Sequence, residues 1–296
     1  MSVRVIAPAK VNLFLGVGPP RADGYHGVST ILQAVNHSDT VTLDEADELL
    51  VVCEPPVGIP AEDNLAHRAA SALAEALSRP AQASIHVRKA VPTGAGLGGG
   101  SSDAAAVLAG LAALWGLDRE DPMLARVAAS LGADVPFFLG EGGGTALFGD
   151  RGDRFERAFP TPVLDLVLAK PRGSISTAAA YAAFDAAPAP AGRLEAMLEA
   201  LTTGDRHAIA SALSNNLANA ACGLVAAVGD ALAWMRTADG VLGTSVSGSG
   251  SGVFAVCEDA RSARRIAESA SKRGLWSVAT TSRDSAVTVG QEPRGR

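Results

Sequence analysis

The sequence predicts a two-domain α+β protein, and three observations carry that expectation. The chain has 296 residues, more than one ordinary domain of about 100–200 residues. Its first 60 residues are β-branched runs broken by turn signals. Beyond residue 191, helical stretches give way to a fresh set of strand-like runs. With 48% hydrophobic residues and a mean hydropathy of +0.20, the chain has the material for a buried core.

Taken in order, Val3–Ala7, Val11–Val17, Ser29–Val35, Thr40–Leu43 and Leu49–Cys53 read as strands, separated by GPPRADG, NHSD and DEADE. Asn64 suits the N-cap of a helix over Leu65–Ser78. Over Ala83–Val91, Ile85 and Val87 alternate with His86 and Arg88, the period of a half-buried strand. Ser101 and Ser102 are expected to cap an alanine-rich helix over Asp103–Trp115 that Gly116 stops. Asp121–Pro122 opens another helix through Ser130. VPFFLGEGGGTALFGDRGD reads as strand, glycine turn and strand, and Val163–Lys170 as a further strand. After the flexible AAPAPA at 186–191 come helices over Arg193–Thr202, Asp205–Leu217 and Leu224–Thr237. Strands Val241–Val246, Val253–Cys257 and Trp276–Thr281 follow, with an amphipathic helix over Ala260–Arg273, and the closing VGQEPRGR is expected to fray.

Charge and cysteine usage exclude several classes of function. Lysine and arginine number 25 against 31 acidic residues, a net charge of −6, and no basic patch suits phosphate backbones or anionic membranes. Cys53, Cys222 and Cys257 form no CxxC pair, which argues against a zinc site or disulfide framework and for a reducing compartment. The N-terminus lacks the features of a signal peptide. A cytoplasmic protein is expected, with no nucleic-acid or membrane partner.

Five of the seven residues from Gly94 to Gly100 are glycine, placed between a predicted strand and a predicted helix. Without a Cβ, the backbone N–H groups can turn toward phosphate oxygens, and the helix N-terminus adds its partial positive charge. Ser101 and Ser102 can add hydroxyls to a phosphate or its magnesium ion. The sequence ends GGSS rather than GK[ST], so this is not a Walker loop. Gly94, Gly96 and Gly99 fit G-x-G-x-x-G, which keeps a nicotinamide oxidoreductase as an alternative, but the acidic residues near the required offset start a helix.

PTGAGLGGGSSDAA resembles the second motif of the galacto/homoserine/mevalonate/phosphomevalonate (GHMP) kinase superfamily. PAKVNLFLGV at 8–17 is similar to its first motif and SVSGSGSGVFAV at 245–256 to its third. RADGYHGVSTILQAV and LGADVPFFLGEGGGTA draw the likeness toward members acting on a cytidine-diphosphate-linked sugar alcohol in isoprenoid precursor synthesis, with mevalonate or homoserine kinases as alternatives. SNNLANAA at 214–221 departs from the N-D-L-E that relatives carry.

The resemblance implies a GHMP kinase fold, with an ATP-binding, ribosomal-protein-S5-like N-terminal α/β domain over 1–155. A C-terminal α+β domain on the substrate side would cover 156–290, with a disordered tail at 291–296. It implies transfer of the γ-phosphoryl of ATP to the 2-hydroxyl of the sugar alcohol. Lys10 and Asp134 match the catalytic pair. Pro92, Thr93, Gly94, Ala95, Gly96, Leu97, Gly98, Gly99, Gly100, Ser101 and Ser102 match the ATP loop. Asn12 and Thr177 would touch substrate, Tyr25 and Tyr181 would stack on cytosine, and His26 would bond its edge. Mg²⁺ is expected on chemical grounds, because the transferring phosphoryl needs its charge shared, although the sequence identifies no ligands for it. Lys89 could reach phosphate or adenine, or be a plain strand-edge lysine. His37, His67, His86 and His207 read as surface or core residues.

Overall fold

The computed structural model describes residues 2–140 and 142–291. The chain runs β1 (Ser2–Pro20), β2 (His26–Asp44), β3 (Leu49–Glu54), α1 (Leu65–Ala76), β4 (Ala83–Arg88), α2 (Gly99–Trp115), α3 (Pro122–Leu131) and α4 (Val135–Leu139). It continues with β5 (Thr145–Gly149), β6 (Arg154–Ala158), β7 (Asp165–Lys170), α5 (Thr177–Ala186), α6 (Leu194–Thr203), α7 (Arg206–Ala212) and β8 (Ser214–Asn215). Last come α8 (Ala218–Leu224), α9 (Ala226–Arg236), β9 (Val241–Val246), β10 (Val253–Cys257), α10 (Ala260–Lys272), β11 (Trp276–Thr281) and β12 (Thr288–Gln291).

The strands make two sheets. The larger has the order β12-β1-β2-β4-β3, with β5 and β6 continuing from β2 and β8 beside β1; the smaller has the order β11-β7-β10-β9. Helices α1 to α4 cover one face of the larger sheet in a core that includes Val5, Leu43, Leu73, Leu108 and Phe137. Leu13, Phe14 and Ile31 of the larger sheet meet Leu166 and Phe254 of the smaller in a second core, closed by α6 and α7. Helices α9 and α10 pack on the smaller sheet over Val167, Val253 and Ala255. Burial of these apolar faces is the main driving force holding the layers together.

The first four predicted strands are in fact two long ones. Pro8 sits at a register break between β1 and β2, where Pro8 faces Ser38 but Ala9 faces Val35. NHSD is therefore a bulge inside β2 rather than a turn, the position at which a sheet tolerates proline. VPFFL, expected as a strand, is helix α4. Pro136 lies in its first turn, where no N–H is needed, and Val135, Pro136, Phe137 and Phe138 are buried. Such a short apolar run has no period long enough to separate strand from helix. The helix expected over Asp205–Leu217 ends at Ala212, and the asparagines after it serve other contacts. The end expected to fray is ordered through Gln291, because Val289 to Gln291 pair with Val5 to Val3; residues 292–296 of the expected tail lie outside the described residues. No helix among the described residues is long and apolar enough to cross a membrane.

Candidate active site

The glycine loop takes its shape from three left-handed glycines, Gly94, Gly96 and Gly98, with φ of +63°, +66° and +73°. Gly98, not Ser101 or Ser102, is the N-cap of α2. A left-handed residue at that point lets the helix begin at Gly99, four residues before the expected start at Asp103, so both serines lie in the first turn. Ser102 N bonds back to Gly98 O at 2.8 Å, while the preceding amides of that turn have no partner inside the helix.

Two contacts explain why these positions are glycine. A Cβ on Gly96 would stand 2.0 Å from Ser247 O, and one on Gly98 would meet the Phe138 ring at 2.7 Å. The backbone of 247–252 braces the loop directly. Gly252 N donates to Ala95 O at 3.0 Å and Ser247 Oγ to Gly96 O at 2.8 Å. The third glycine motif thus acts on the second through a main-chain bond and a serine hydroxyl between the two halves of the chain.

Strand β1 crosses beneath the loop, and Lys10 N donates to Leu97 O at 2.9 Å. The Lys10 side chain, 3% exposed, reaches Asn12 Oδ1 at 2.6 Å and Asp134 Oδ2 at 3.4 Å. Alternation along a strand puts residues 10 and 12 on one side. Asn12 Oδ1 also accepts from Gly248 N at 2.8 Å, and its amide donates to Thr30 Oγ1 at 2.8 Å. Its polar atoms are therefore committed to holding Lys10 and the third motif. Asp134 precedes α4 and is 29% exposed, which leaves its carboxylate open to the cleft.

That cleft, about 1080 Å³, is lined by Lys10, Asn12, Asp134, Gly94, Gly96, Gly98 and Ser101 at one end and by Tyr25, His26, Thr177 and Tyr181 at the other. A smaller pocket of about 300 Å³ shares Gly94, Gly96, Gly98 and Ser101 with it. Pro92, Thr93, Ala95, Leu97, Gly99, Gly100, Cys53, Val57 and Asn64 line this second space. Ser102 is the exception in the predicted loop. It is fully buried and its hydroxyl has no partner.

At the far end, Tyr25 is 55% exposed with the Arg151 guanidinium 4.8 Å above its ring. The Tyr181 and His26 rings stand 5.0 Å apart on the inner side. Burial first, then the charge of Asp134, pushes the Tyr181 hydroxyl above its ordinary pKa. Thr177 opens α5 at the cleft rim, its hydroxyl 3.4 Å from that of Ser249.

Sequence reasoning missed three features. Lys89 is not free for phosphate or adenine, because its ammonium pairs with Asp39 at 2.5 Å and Asp103 at 2.6 Å. Burial disfavours that ammonium, but the two carboxylates outweigh it and push the Lys89 pKa up. Burial pushes Asp103 up to about 7, with Lys89 opposing and Asp39 adding to the effect. Asp39 also accepts from Ala90 N and Val91 N, so the triad ties the strand before the loop to the helix after it. The second feature is SNNLANAA. Asn215 donates to Val246 O and Gly248 O, and Asn216 bonds both Val17 N and Val17 O, which fastens the third motif and β1 together. Two consecutive asparagines beside apolar residues were the only signal. The third feature is Asp185, whose carboxylate meets His26; nothing in the alanine-rich sequence around it marks it.

Comparison with known proteins agrees with this architecture. The family pattern described as the GHMP kinases N terminal domain matches residues 64–142, and that of the GHMP kinases C terminal matches 197–274. A 4-diphosphocytidyl-2-C-methyl-D-erythritol kinase of Kineococcus radiotolerans is 42% identical over 278 residues, covering 90% of this chain and 85% of that protein. Its counterpart from Salinispora tropica is 42% identical over 275 residues, 90% of this chain and 86% of the relative. A crystal structure of 4-(cytidine 5'-diphospho)-2C-methyl-D-erythritol kinase superposes with a TM-score of 0.79 at 35% identity, covering 95% of this chain and 99% of that one. With two braced glycine motifs around one cleft and this degree of likeness along nearly the whole chain, the protein belongs to the GHMP kinases and, among them, to the 4-diphosphocytidyl-2-C-methyl-D-erythritol kinase family.

Proposed function

We propose that the chain transfers the γ-phosphoryl of ATP to the 2-hydroxyl of 4-diphosphocytidyl-2-C-methyl-D-erythritol, a step of isoprenoid precursor synthesis in the cytoplasm. The observation that carries this reading is the Lys10–Asp134 pair, 3.4 Å apart, on the wall of a cleft shared by the glycine loop and an aromatic end. Asp134 takes the hydroxyl proton as the substrate oxygen forms its bond to the γ-phosphorus and the bond to the ADP oxygen breaks. Lys10, oriented by Asn12, meets the negative charge of the transferring group. The three left-handed glycines hold backbone N–H groups against the phosphates. Tyr25 and Tyr181 take the base between them, with His26 at its edge.

Among the described residues no cluster of three acidic, histidine or cysteine side chains could hold a metal alone. That fits Mg²⁺ arriving with the nucleotide, since it is usually bound by one or two carboxylates together with phosphates and water. Asp134 is the carboxylate of the reacting end that would touch it, and the ion would spread the charge on the transferred phosphoryl.

The test is ADP formation from ATP with the cytidyl substrate, set against mevalonate, homoserine and galactose. Turnover with the cytidyl substrate alone is the expected result. Turnover with mevalonate or homoserine instead overturns the substrate and leaves the kinase standing.

A further inference from the structure

His26 is 7% exposed, and its Nε2 lies 2.8 Å from Oδ1 of Asp185. Asp185 follows Tyr181 by four residues on α5, so both side chains project from one face of that helix. The Tyr181 ring lies 5.0 Å from the imidazole, tilted by 50°, and Phe184 meets it edge-on at 6.2 Å. Aromatic rings thus fix where the imidazole sits, and the carboxylate fixes where its proton sits. A carboxylate accepts hydrogen bonds and does not donate them, so Nε2 carries the hydrogen, and in the neutral imidazole Nδ1 then keeps its lone pair. No described residue is hydrogen-bonded to Nδ1.

We infer that Asp185 is a positioning residue for base choice: by holding the proton on Nε2 it makes Nδ1 an acceptor, which selects a pyrimidine bearing an exocyclic amine over one bearing a carbonyl there. The inference rests on the reading of this cleft as a cytidyl site. Cytosine presents N–H donors at C4, and Nδ1 accepts from them. Uracil presents O4 at the same place, and two acceptors then face each other with no proton between them. Sites built around one hydrogen bond reject the analogue that leaves it unmade. Asp185 touches neither the base nor the phosphates in this scheme and acts only through His26.

The experiment compares kcat and KM for cytidyl and uridyl forms of the substrate in wild type, Asp185→Ala and Asp185→Glu. Long-range ¹⁵N–¹H spectra of the imidazoles run alongside, with His26→Gln identifying the His26 signals among the five histidines. Asp185→Ala is expected to raise the cytidyl KM about tenfold, to lower the cytidyl preference about tenfold, and to leave kcat and the KM for ATP within about twofold. Asp185→Glu restores the preference. The wild-type spectrum shows the proton on Nε2, and the alanine variant shows a mixture of tautomers. A selective wild type whose selectivity survives Asp185→Ala, or a wild-type His26 protonated on Nδ1, overturns the role of Asp185. Equal use of both bases by the wild type overturns the cytidyl reading itself.

Discussion

At one end of the cleft the loop at 94–100 is bonded to β1 through Leu97 and to residues 247–252 through Ala95 and Gly96, and Lys10 is buried beneath it. At the other end Tyr25 stands more than half exposed, and Asp185 is 44% exposed while holding His26. The first end is braced from two sides, which suits phosphoryl transfer, because its catalysis is almost entirely positioning and charge. The second end, the base site of the proposed function, leaves its outer aromatic in water. Substitutions at the braced end therefore act on turnover and on the fold together, and substitutions at the open end act on substrate binding alone.

The largest expected effect is at the braced end. Asp134→Asn keeps size but cannot take the hydroxyl proton, so kcat falls by about 10²-fold or more while ATP binding persists. Single-turnover kinetics beside ATP calorimetry checks this, and normal turnover would make Asp134 structural. Next comes Gly96→Ala. Its methyl meets Ser247 O at 2.0 Å on a backbone with φ of +66°, so the third motif must move and ATP affinity drops by at least about tenfold. Wild-type affinity in the folded variant would show that the bracing is dispensable. At the open end Tyr25→Ala is expected to cost about 1–3 kcal/mol in cytidyl-substrate binding, the range for one base–aromatic stack, and nothing in ATP binding. A loss shared equally by both ligands would erase the distinction between the ends.

The smallest effect concerns stability against pH. Asp103, pushed up to about 7, keeps a proton in the folded chain across a range where the unfolded chain has released it. More protons on the folded state mean that stability declines as pH rises from the ordinary carboxylate range to about 7. Asp103→Asn removes that part of the slope, measured as the urea midpoint at several pH values. An unchanged slope would place the titration elsewhere.

The two ends also differed in how far the sequence disclosed them. Five glycines between a strand and a helix are a signal that local sequence delivers, and the loop leading into α2 was legible from it. The bracing of that loop was not, because the contact between Gly96 and Ser247 spans about 150 positions and no local pattern encodes it. Lys10 drew notice through the first motif of the family, and Asp134 through the LGADVPFFLGEGGGTA stretch that follows the second. Taken singly, a lysine on a strand and an aspartate before a proline have commoner readings. The five apolar residues of α4 fit either period, and the alanine run of α5 shows no amphipathic face to mark a helix. The pairing of Lys89 with Asp39 and Asp103 was hidden for a third reason. Burial of a charge is a tertiary outcome, and the strand pattern around Lys89 is the same whether its ammonium ends in water or in an ion pair.

The reach from Gly96 to Ser247 also sets an order of events at the ribosome. At a synthesis rate of about 5–20 residues per second, residues 94–100 wait roughly 8 to 30 s before 247–252 exist to brace them. Strand β12, which completes the larger sheet against Val3 to Ile6, comes later still. The nascent N-terminal half therefore carries the glycine loop without the segment that braces it, and contacts this distant in sequence make the closing step slow. A ribosome stalled before residue 247 holds a chain with the glycines of the loop and without the residues that brace them.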